Sequence, residues 1–168
     1  MLSELGHLFI FFSIISSASL VIYSFKEVKN KNIIPSNTIK NLSYFQITST
    51  NLSFVVLIAG YIISDFSLVN VYENSHTEKP LIYKFSGVWG NHEGSLLLWI
   101  NVMVIFSFLF FLKNKNFSKN FLLLTIFFQN ILILGFLIFL LATSNPFSKI
   151  FPIPNEGLGL NPILQDPA

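Results

Sequence analysis

The chemistry open to this chain depends first on its three histidines, because it contains no cysteine that could bind a metal or act as a nucleophile. His7, His76 and His92 are far apart in the sequence, and none has a second histidine four residues away on the same helical face. Each lies at or beyond the end of an apolar segment, whereas a buried cofactor ligand is expected inside one. We therefore assign no metal site and no cofactor ligand, and interpret all three as side chains near a membrane surface.

The most distinctive segment is WGNHEGSLLLW, at residues 89–99. Asn91 is a residue type that caps helices, and Glu93 would favour the positive N-terminal end of a helix that starts there. Gly90 and Gly94 permit close backbone approach. These features fit an aromatic belt with a helix start as well as they fit a functional surface. They provide no pair of carboxylates for acid–base catalysis, no Ser-His-Asp set and no phosphate-binding loop.

The composition indicates the elements that carry these residues. Of 168 residues, 52% are hydrophobic and 11% are charged, with a mean hydropathy of +0.65, whereas a soluble domain has about 25% charged residues. This composition excludes a soluble globule, a disordered chain and a nucleic-acid-binding protein. Four segments have the roughly 20 apolar residues that a membrane-spanning helix needs: about 5–25, 45–64, 94–112 and 121–143. The sequence thus predicts an all-α integral membrane protein. Its second helix is the weakest because its first turns contain the polar residues Gln46, Thr48, Ser49, Thr50 and Asn51.

The lysines predict the orientation of these helices, because loops rich in lysine and arginine stay on the cytoplasmic or matrix side. The two loops on that side join the first helix to the second and the third to the fourth. They hold seven of the ten basic residues: Lys26, Lys29, Lys31, Lys40, Lys113, Lys115 and Lys119. Both termini and the loop at 65–93 are therefore predicted to face the periplasm or the intermembrane space.

The segment after the fourth helix, 144–168, is predicted to form an extended tail on that same outside surface. It contains five of the seven prolines, which remove backbone donors and prevent a fifth helix. Inside the bilayer, Asn101, Gln129 and Asn130 are expected to form hydrogen bonds between helices. No ionisable side chain lies deep in a predicted helix, which disfavours a proton pump or an ion antiporter.

The residue usage bears on where such a protein is encoded. The chain has twenty phenylalanines, many isoleucines and asparagines, and ten lysines without an arginine. This usage is typical of A/T-rich codons. Glu4 precedes the first apolar segment where a secretory signal has basic residues, and there is no Arg-rich transit peptide. We expect a protein made inside a mitochondrion and placed in its inner membrane, with a bacterial cytoplasmic membrane as the alternative.

Several motifs resemble the CcmF cytochrome c haem lyase family in order and spacing. They are Glu4-Leu5-Gly6, Asp65-Phe66-Ser67, Tyr83, the segment at 89–99, Thr143-Ser144-Asn145-Pro146-Phe147, and the stretch GLNPILQDP at 159–167. The resemblance covers essentially the whole chain. Its specificity comes from the WGxHEGSLLLW string together with the NPF and LNPxLQDP strings of the tail.

The resemblance implies a role in cytochrome c maturation. Members of this family receive haem from the haem chaperone CcmE on the outer side of the membrane. They join its vinyl groups to the two thiols of a CxxCH motif in apocytochrome c. The family's first haem-ligating histidine lies in a His-Pro-Pro motif shortly after the LQDP string, and its tryptophan-rich WWD segment is further downstream. The sequence ends at Ala168, before both, so the chain resembles an N-terminal piece, as in mitochondria where the gene is split.

We therefore expect the N-terminal subunit of a split haem lyase, which helps to form an outer-face platform where haem is attached to apocytochrome c. The candidate platform residues are Trp89, Gly90, His92, Glu93, Gly94 and Trp99. The candidates for positioning the tail are Asn145, Pro146, Asn161, Pro162 and Asp166.

The expected partners are the remaining chains of the lyase, CcmE, apocytochrome c and the lipid bilayer, but no nucleic acid. Haem would be held mainly by the partner chains, and no catalytic or metal-binding residue is assigned to this chain, so its status as an enzyme stays open. One alternative is a scaffold subunit of the same assembly that contacts neither haem nor apocytochrome c. Another is a subunit of a respiratory or transport complex, which the absence of intramembrane charge disfavours.

Overall fold

The computed structural model describes residues 1–29, 37–113 and 118–159. The helices are α1 (Leu2–Lys29), α2 (Asn37–Ile62), α3 (Val69–Asn74), α4 (Leu81–Gly87), α5 (His92–Leu112) and α6 (Lys119–Thr143). Among the described residues, α1, α2, α5 and α6 are the four helices that are long and apolar enough to cross a membrane. The prediction of an all-α chain with four candidate membrane spans is therefore confirmed.

The long helices extend beyond the apolar segments that predicted them. Helix α1 begins before and ends after the predicted span at 5–25. Helix α2 begins at Asn37 rather than near residue 45, and ends at Ile62. Helical backbone hydrogen bonds do not require apolar side chains, so a helix can continue through polar turns outside the hydrocarbon layer. The predicted loop at 65–93 itself contains the two short helices α3 and α4.

The four long helices form a closed bundle, in which α1 and α5 each pack against both α2 and α6. Two clusters of buried apolar side chains fill it. The larger includes Ile10, Leu57, Leu97, Ile133, Leu137 and Phe147, and the smaller consists of Leu20, Ile39, Leu122, Leu123 and Ile126. Many leucine, isoleucine and phenylalanine side chains on the outward faces are exposed, as expected for helices solvated by lipid.

The polar residues that made the second span appear weak face the inside of the bundle. Gln46 is 3% exposed, and its Nε2 atom donates to Ser17 Oγ at 2.6 Å and to Asn130 Oδ1 at 2.7 Å. Thr50 of α2 shares a hydrogen bond with Ser13 of α1. The Gln46 side chain therefore connects α2 to both α1 and α6. The expected interhelical hydrogen bond of Asn130 is confirmed. Asn101 instead donates within α5, to the carbonyl of Leu97 at 2.9 Å.

Residues 63–91 and 144–159 together cover one end of the bundle, and we call them the cap. An isolated antiparallel bridge between Leu68 and Lys149 joins its two parts, and the backbone N–H of Leu158 donates to the Tyr72 carbonyl at 2.8 Å. The described part of the tail, 144–159, contains no helix. The opposite end of the bundle carries Lys26, Lys29, Lys40, Lys113 and Lys119, whereas Lys31 and Lys115 lie outside the described residues.

Candidate functional site

The distinctive segment forms the junction where the cap meets α5. Asn91 is the N-cap residue of α5, with extended backbone angles, and its Oδ1 atom accepts a hydrogen bond from the Gly94 N–H at 2.7 Å. This bond satisfies one of the backbone donors that a helix start leaves free. The Nδ2 atom of Asn91 donates to the Gly87 carbonyl at 2.9 Å. Asn91 thereby fixes the end of α4 against the start of α5.

A buried hydrogen-bond network extends from this junction into α2 and α3. The Tyr61 hydroxyl accepts from Asn91 Nδ2 at 2.8 Å and donates to Asn70 Oδ1 at 2.6 Å. Asn70 Nδ2 in turn donates to Asn91 Oδ1 at 2.8 Å and to Glu93 Oε2 at 3.0 Å. Tyr61 is 0% and Asn70 3% exposed. Buried polar groups that are all paired in this way impose one geometry on the elements that carry them.

Tyr61 and Asn70 were not predicted as site residues. Both are separated from the junction by 21 residues or more along the chain, and no local motif marks either of them. Glu93 was predicted, and its half-buried carboxylate accepts a hydrogen bond from Asn70.

Gly94 is required by the close packing at this junction. A Cβ atom built at Gly94 would lie 1.6 Å from the Val88 carbonyl oxygen, so no other residue fits without moving the backbone. At Gly90 the nearest atom to such a Cβ is 3.6 Å away, an ordinary contact distance. The two glycines of the segment therefore have different roles, which their spacing did not reveal.

The remaining predicted platform residues are exposed. Trp89 is 37% exposed and packs edge-to-face against Phe85, with ring centroids 5.1 Å apart. The His92 side chain is exposed on the first turn of α5. Trp99 is 67% exposed and lies further along α5, beside Val102. The structure thus places Trp89, Gly90 and His92 on the outside of the junction and Trp99 on the side of the bundle.

The tail is held against the start of α1. Phe147 is fully buried, and its ring lies where a Cβ on Gly6 would come within 2.3 Å. The Ser3 hydroxyl donates to the Phe147 carbonyl at 2.7 Å. Asn145 Nδ2 and Oδ1 lie 2.9 and 3.1 Å from His7 Nε2, so this amide can pair with either tautomer of the ring.

Asn145 also orders the turn that follows it, because its Oδ1 accepts from the Phe147 N–H at 3.0 Å. Pro146 is buried between these two residues. The structure therefore gives Asn145 and Pro146 a place in the attachment of the tail. Asn161, Pro162 and Asp166 lie outside the described residues.

A second attachment connects the tail to the segment between α3 and α4. The Glu156 carboxylate accepts from the Thr77 hydroxyl and, at 2.9 Å, from the Thr77 N–H. These hydrogen bonds, the hydroxyl first, lower the pKa of Glu156 from 4.5 to about 2. A Cβ at Gly157 would lie 2.1 Å from the Ser75 carbonyl oxygen, so the tail backbone lies directly on this segment.

Two lysines in the cap turn inward. Lys84 is 7% exposed, and its Nζ atom donates to the Ser64 hydroxyl at 2.6 Å. Lys79 Nζ donates to the Asn74 carbonyl at 2.7 Å. Partial burial, together with the nearby charge of Lys84, lowers the pKa of Lys79. The apolar residues of α4 are exposed instead, with Leu81 and Ile82 67% and 73% accessible.

Within the part of the chain that the structure describes, no group of three or more His, Asp and Glu side chains is placed to hold a metal ion. His7 is engaged by Asn145, and His76 Nε2 lies 3.8 Å from Glu156 Oε1. His92 is the exposed histidine next to the junction. No haem-ligand role is assigned to these histidines.

Comparisons with known proteins place the chain among cytochrome c biogenesis proteins. No protein-family model matches it. The cytochrome c-type biogenesis protein CycK of Rhizobium meliloti is 50% identical over 114 residues, which are 68% of this chain and 17% of CycK. CcmF of Haemophilus influenzae is 35% identical over 167 residues, 99% of this chain and 26% of that protein. A solved structure of the cytochrome c haem lyase CcmF has the same fold, with a TM-score of 0.78 at 18% identity, over 88% of this chain and 25% of that one.

The bundle of membrane-length helices, closed at one end by a hydrogen-bonded cap, defines a multi-pass helical membrane protein. The chain belongs to the CcmF/CycK family of cytochrome c-type biogenesis proteins and corresponds to an N-terminal piece of its members. It spans about a quarter or less of the length of these relatives.

Proposed function

We propose that this chain is the N-terminal part of a split cytochrome c haem lyase, and that its cap forms part of the outer-face platform where haem meets apocytochrome c. Family membership supports the reaction. The lysine distribution supports a bundle at 1–143 whose termini, loop 65–93 and tail 144–168 all face outside.

The observation that supports the platform is that the segment at 89–99 contains two kinds of residue, some fixed in the junction and others exposed. Asn91, Glu93 and Gly94 are used to build the junction. Trp89 and His92 are held by that junction with their side chains exposed. A rigid base that presents an aromatic ring and an imidazole is suited to positioning a planar, partly apolar substrate.

In this proposal haem is a substrate, and each thiol of the CxxCH motif adds across one vinyl group. The thiol proton ends on the vinyl carbon chain, so no group leaves and no oxidant is needed. The chain's own residues would orient the substrates and exclude water around them. The ligands that hold haem would come from the remaining chains of the lyase, with CcmE as donor and apocytochrome c as acceptor.

The proposed location is the mitochondrial inner membrane, supported by the residue usage, with a bacterial cytoplasmic membrane as the alternative supported by the bacterial relatives. In either membrane the cap would face the compartment in which c-type cytochromes mature.

The platform is tested by Trp89→Ala and His92→Ala in the complete maturation system. Both side chains are exposed, so we expect normal amounts of the chain in the membrane and a several-fold loss of holocytochrome c, measured by haem staining. Phe11→Ala is the matched control, because Phe11 is 52% exposed on α1 and lies outside the cap. Normal holocytochrome c in both variants would reject the platform.

A scaffold subunit that contacts neither haem nor apocytochrome c is the second candidate. It is favoured by the Glu93 carboxylate, which accepts a hydrogen bond from Asn70 and so supports the fold. In that case Glu93→Leu lowers holocytochrome c only in proportion to the amount of chain in the membrane, and a photo-crosslinker at Ile82 gives no adduct with CcmE. An adduct with CcmE from Ile82, which is 73% exposed on the cap, would reject the scaffold.

A further inference from the structure

The lipid-facing side of the bundle has a hollow between α1 and α6, near the end that carries the lysines. It is lined by Val21, Ile22, Phe25 and Lys26 of α1 and by Phe127 of α6. The ring centroids of Phe25 and Phe127 are 5.7 Å apart, so these rings connect the two helices at the hollow. We call this site the Lys26 hollow, because Lys26 is its charged lining residue and the other four are apolar.

The exposed face of α1 changes from apolar to basic at this hollow. Ile22, Phe25, Lys26 and Lys29 have the i, i+3, i+4, i+7 spacing of one helical face, and all four are exposed. At about 1.5 Å per residue, Lys26 and Lys29 lie about 6 and 10 Å beyond Ile22 along the helix axis. A phospholipid presents the matching order, with apolar acyl chains beneath a negatively charged phosphate.

The acid at this end of the bundle is already paired. The segments 26–40 and 113–119 together contain seven lysines but a single acid, Glu27. Glu27 is 8% exposed, and its Oε2 atom lies 3.7 Å from Lys119 Nζ, so its charge is engaged between α1 and α6. Glu27 therefore does not balance the lysines at the rim of the hollow.

The two rim lysines have no carboxylate partner. Among the residues that the structure describes, no acid lies within ion-pairing distance of Lys26 or Lys29. Lys26 Nζ instead lies 5.7 Å from the centroid of the Tyr23 ring, a cation–π contact that holds the ammonium at the helix surface. Two neighbouring cations without a counter-charge attract an anion from their surroundings.

The anion that a membrane supplies at this depth is a lipid phosphate. Basic pockets between membrane helices on the lysine-rich side bind the headgroups of anionic phospholipids. We propose that the Lys26 hollow binds one anionic phospholipid, with its phosphate at Lys26 and Lys29 and an acyl chain against Phe25 and Phe127. The bound lipid would contact both α1 and α6 and so link them at this end. The inference depends on the membrane-spanning bundle and not on the proposed function.

Native mass spectrometry identifies the bound lipid by its mass. The tagged chain is purified from native membranes in mild detergent with any polypeptides that accompany it, stripped of lipid, and offered equal amounts of phosphatidylglycerol, cardiolipin and phosphatidylcholine. We expect adducts with the two anionic lipids to be several-fold more abundant than adducts with phosphatidylcholine. Equal adducts with all three would overturn the inference.

Lysine substitutions separate the hollow from a general attraction to the lysine-rich end. Lys26→Gln combined with Lys29→Gln removes both rim charges, and we expect it to abolish the preference for anionic lipid. Lys40→Gln combined with Lys113→Gln is the matched control, because it removes two exposed lysines of the same end that do not line the hollow. An equal loss in the control would show that net charge selects the lipid and that the site is wrong.

Ile22→Trp tests the apolar half of the site. Ile22 is 52% exposed, so the indole is accommodated without repacking the bundle, and it fills the hollow while both lysines remain. We expect the anionic adducts to fall several-fold. Unchanged adducts would mean that the lysines act without the hollow, which contradicts the proposed binding mode.

A photo-crosslinkable phenylalanine derivative at Phe25, which is 55% exposed, identifies the occupant in native membranes. We expect adducts with phospholipid. Adducts with a polypeptide alone would overturn the inference and leave the proposed function standing, because the cap lies at the other end of the bundle.

Discussion

At the residue scale, two glycines of one motif stand four residues apart in different surroundings. The Val88 carbonyl occupies the space where a Gly94 side chain would lie, whereas a side chain at Gly90 has ordinary contact distances. Helix α5 starts within this close contact, so Gly94 determines how the cap joins the bundle. A methyl group added at Gly90 would meet only ordinary contact distances and would leave the fold unchanged.

We therefore predict that Gly94→Ala destabilises the chain by more than about 2 kcal/mol, because the backbone must move to accommodate the new atom. Gly90→Ala changes stability by less than about 0.5 kcal/mol, as is usual at exposed positions. The measurement is denaturant unfolding of the purified chain in bicelles, followed by tryptophan fluorescence. Equal stability of the two variants would contradict the packing argument.

At the element scale, the tail depends on contacts that respond to pH. The Glu156 carboxylate receives both donors of Thr77, and its pKa is lowered to about 2. A carboxylate with a lowered pKa in the folded state stabilises the attachment fully above its unfolded value near 4.5. That contribution is lost as the pH falls through about 2. The attachment of the tail to residues 75–77 should therefore persist at pH 5 and weaken in strong acid.

We predict that a spin label at Asn155, introduced as the chain's single cysteine, is immobilised from pH 7 to pH 5 and becomes mobile as the pH falls towards 2. Electron paramagnetic resonance line shapes report this change. In Glu156→Gln the titrating group is absent, so the label mobility should no longer change over the acid range. A wild-type label that is already mobile at pH 7 would show that this contact does not hold the tail.

The same elements show what local sequence could predict. Hydropathy identified the four spans because lipid imposes the same requirement on every segment that crosses it, whatever its neighbours. All four helices begin before their apolar segments, most of all α2, because Asn37 and the turns after it are polar and yet helical. The capping role of Asn91 was visible locally, but its bonds to Asn70 and Tyr61 were not. Those contacts form because α2 and α3 pack against the start of α5 in the folded chain. The residues next to Asn91 in the sequence do not indicate this packing.

At the scale of the whole molecule, the bundle has polar contacts between helices where hydropathy alone suggested weakness. Gln46 bonds to α1 through Ser17 and to α6 through Asn130. Since apolar side chains gain little by leaving lipid for another apolar surface, such contacts help to select which helices pack together. These few polar contacts therefore help to position α2 relative to α1 and α6.

A double-mutant cycle tests this contribution. We predict that Gln46→Leu and Asn130→Leu each destabilise the bundle. Their coupling energy should be about 0.6 kcal/mol and no more than about 1.7 kcal/mol, the average and the maximum found for hydrogen bonds between membrane helices. Unfolding in bicelles provides the four free energies, with Thr48→Val as the control because its hydroxyl bonds only within α2. Strictly additive effects would mean that the 2.7 Å bond between Gln46 and Asn130 contributes nothing to holding α2 against α6. The apolar clusters would then have to specify that packing by shape alone.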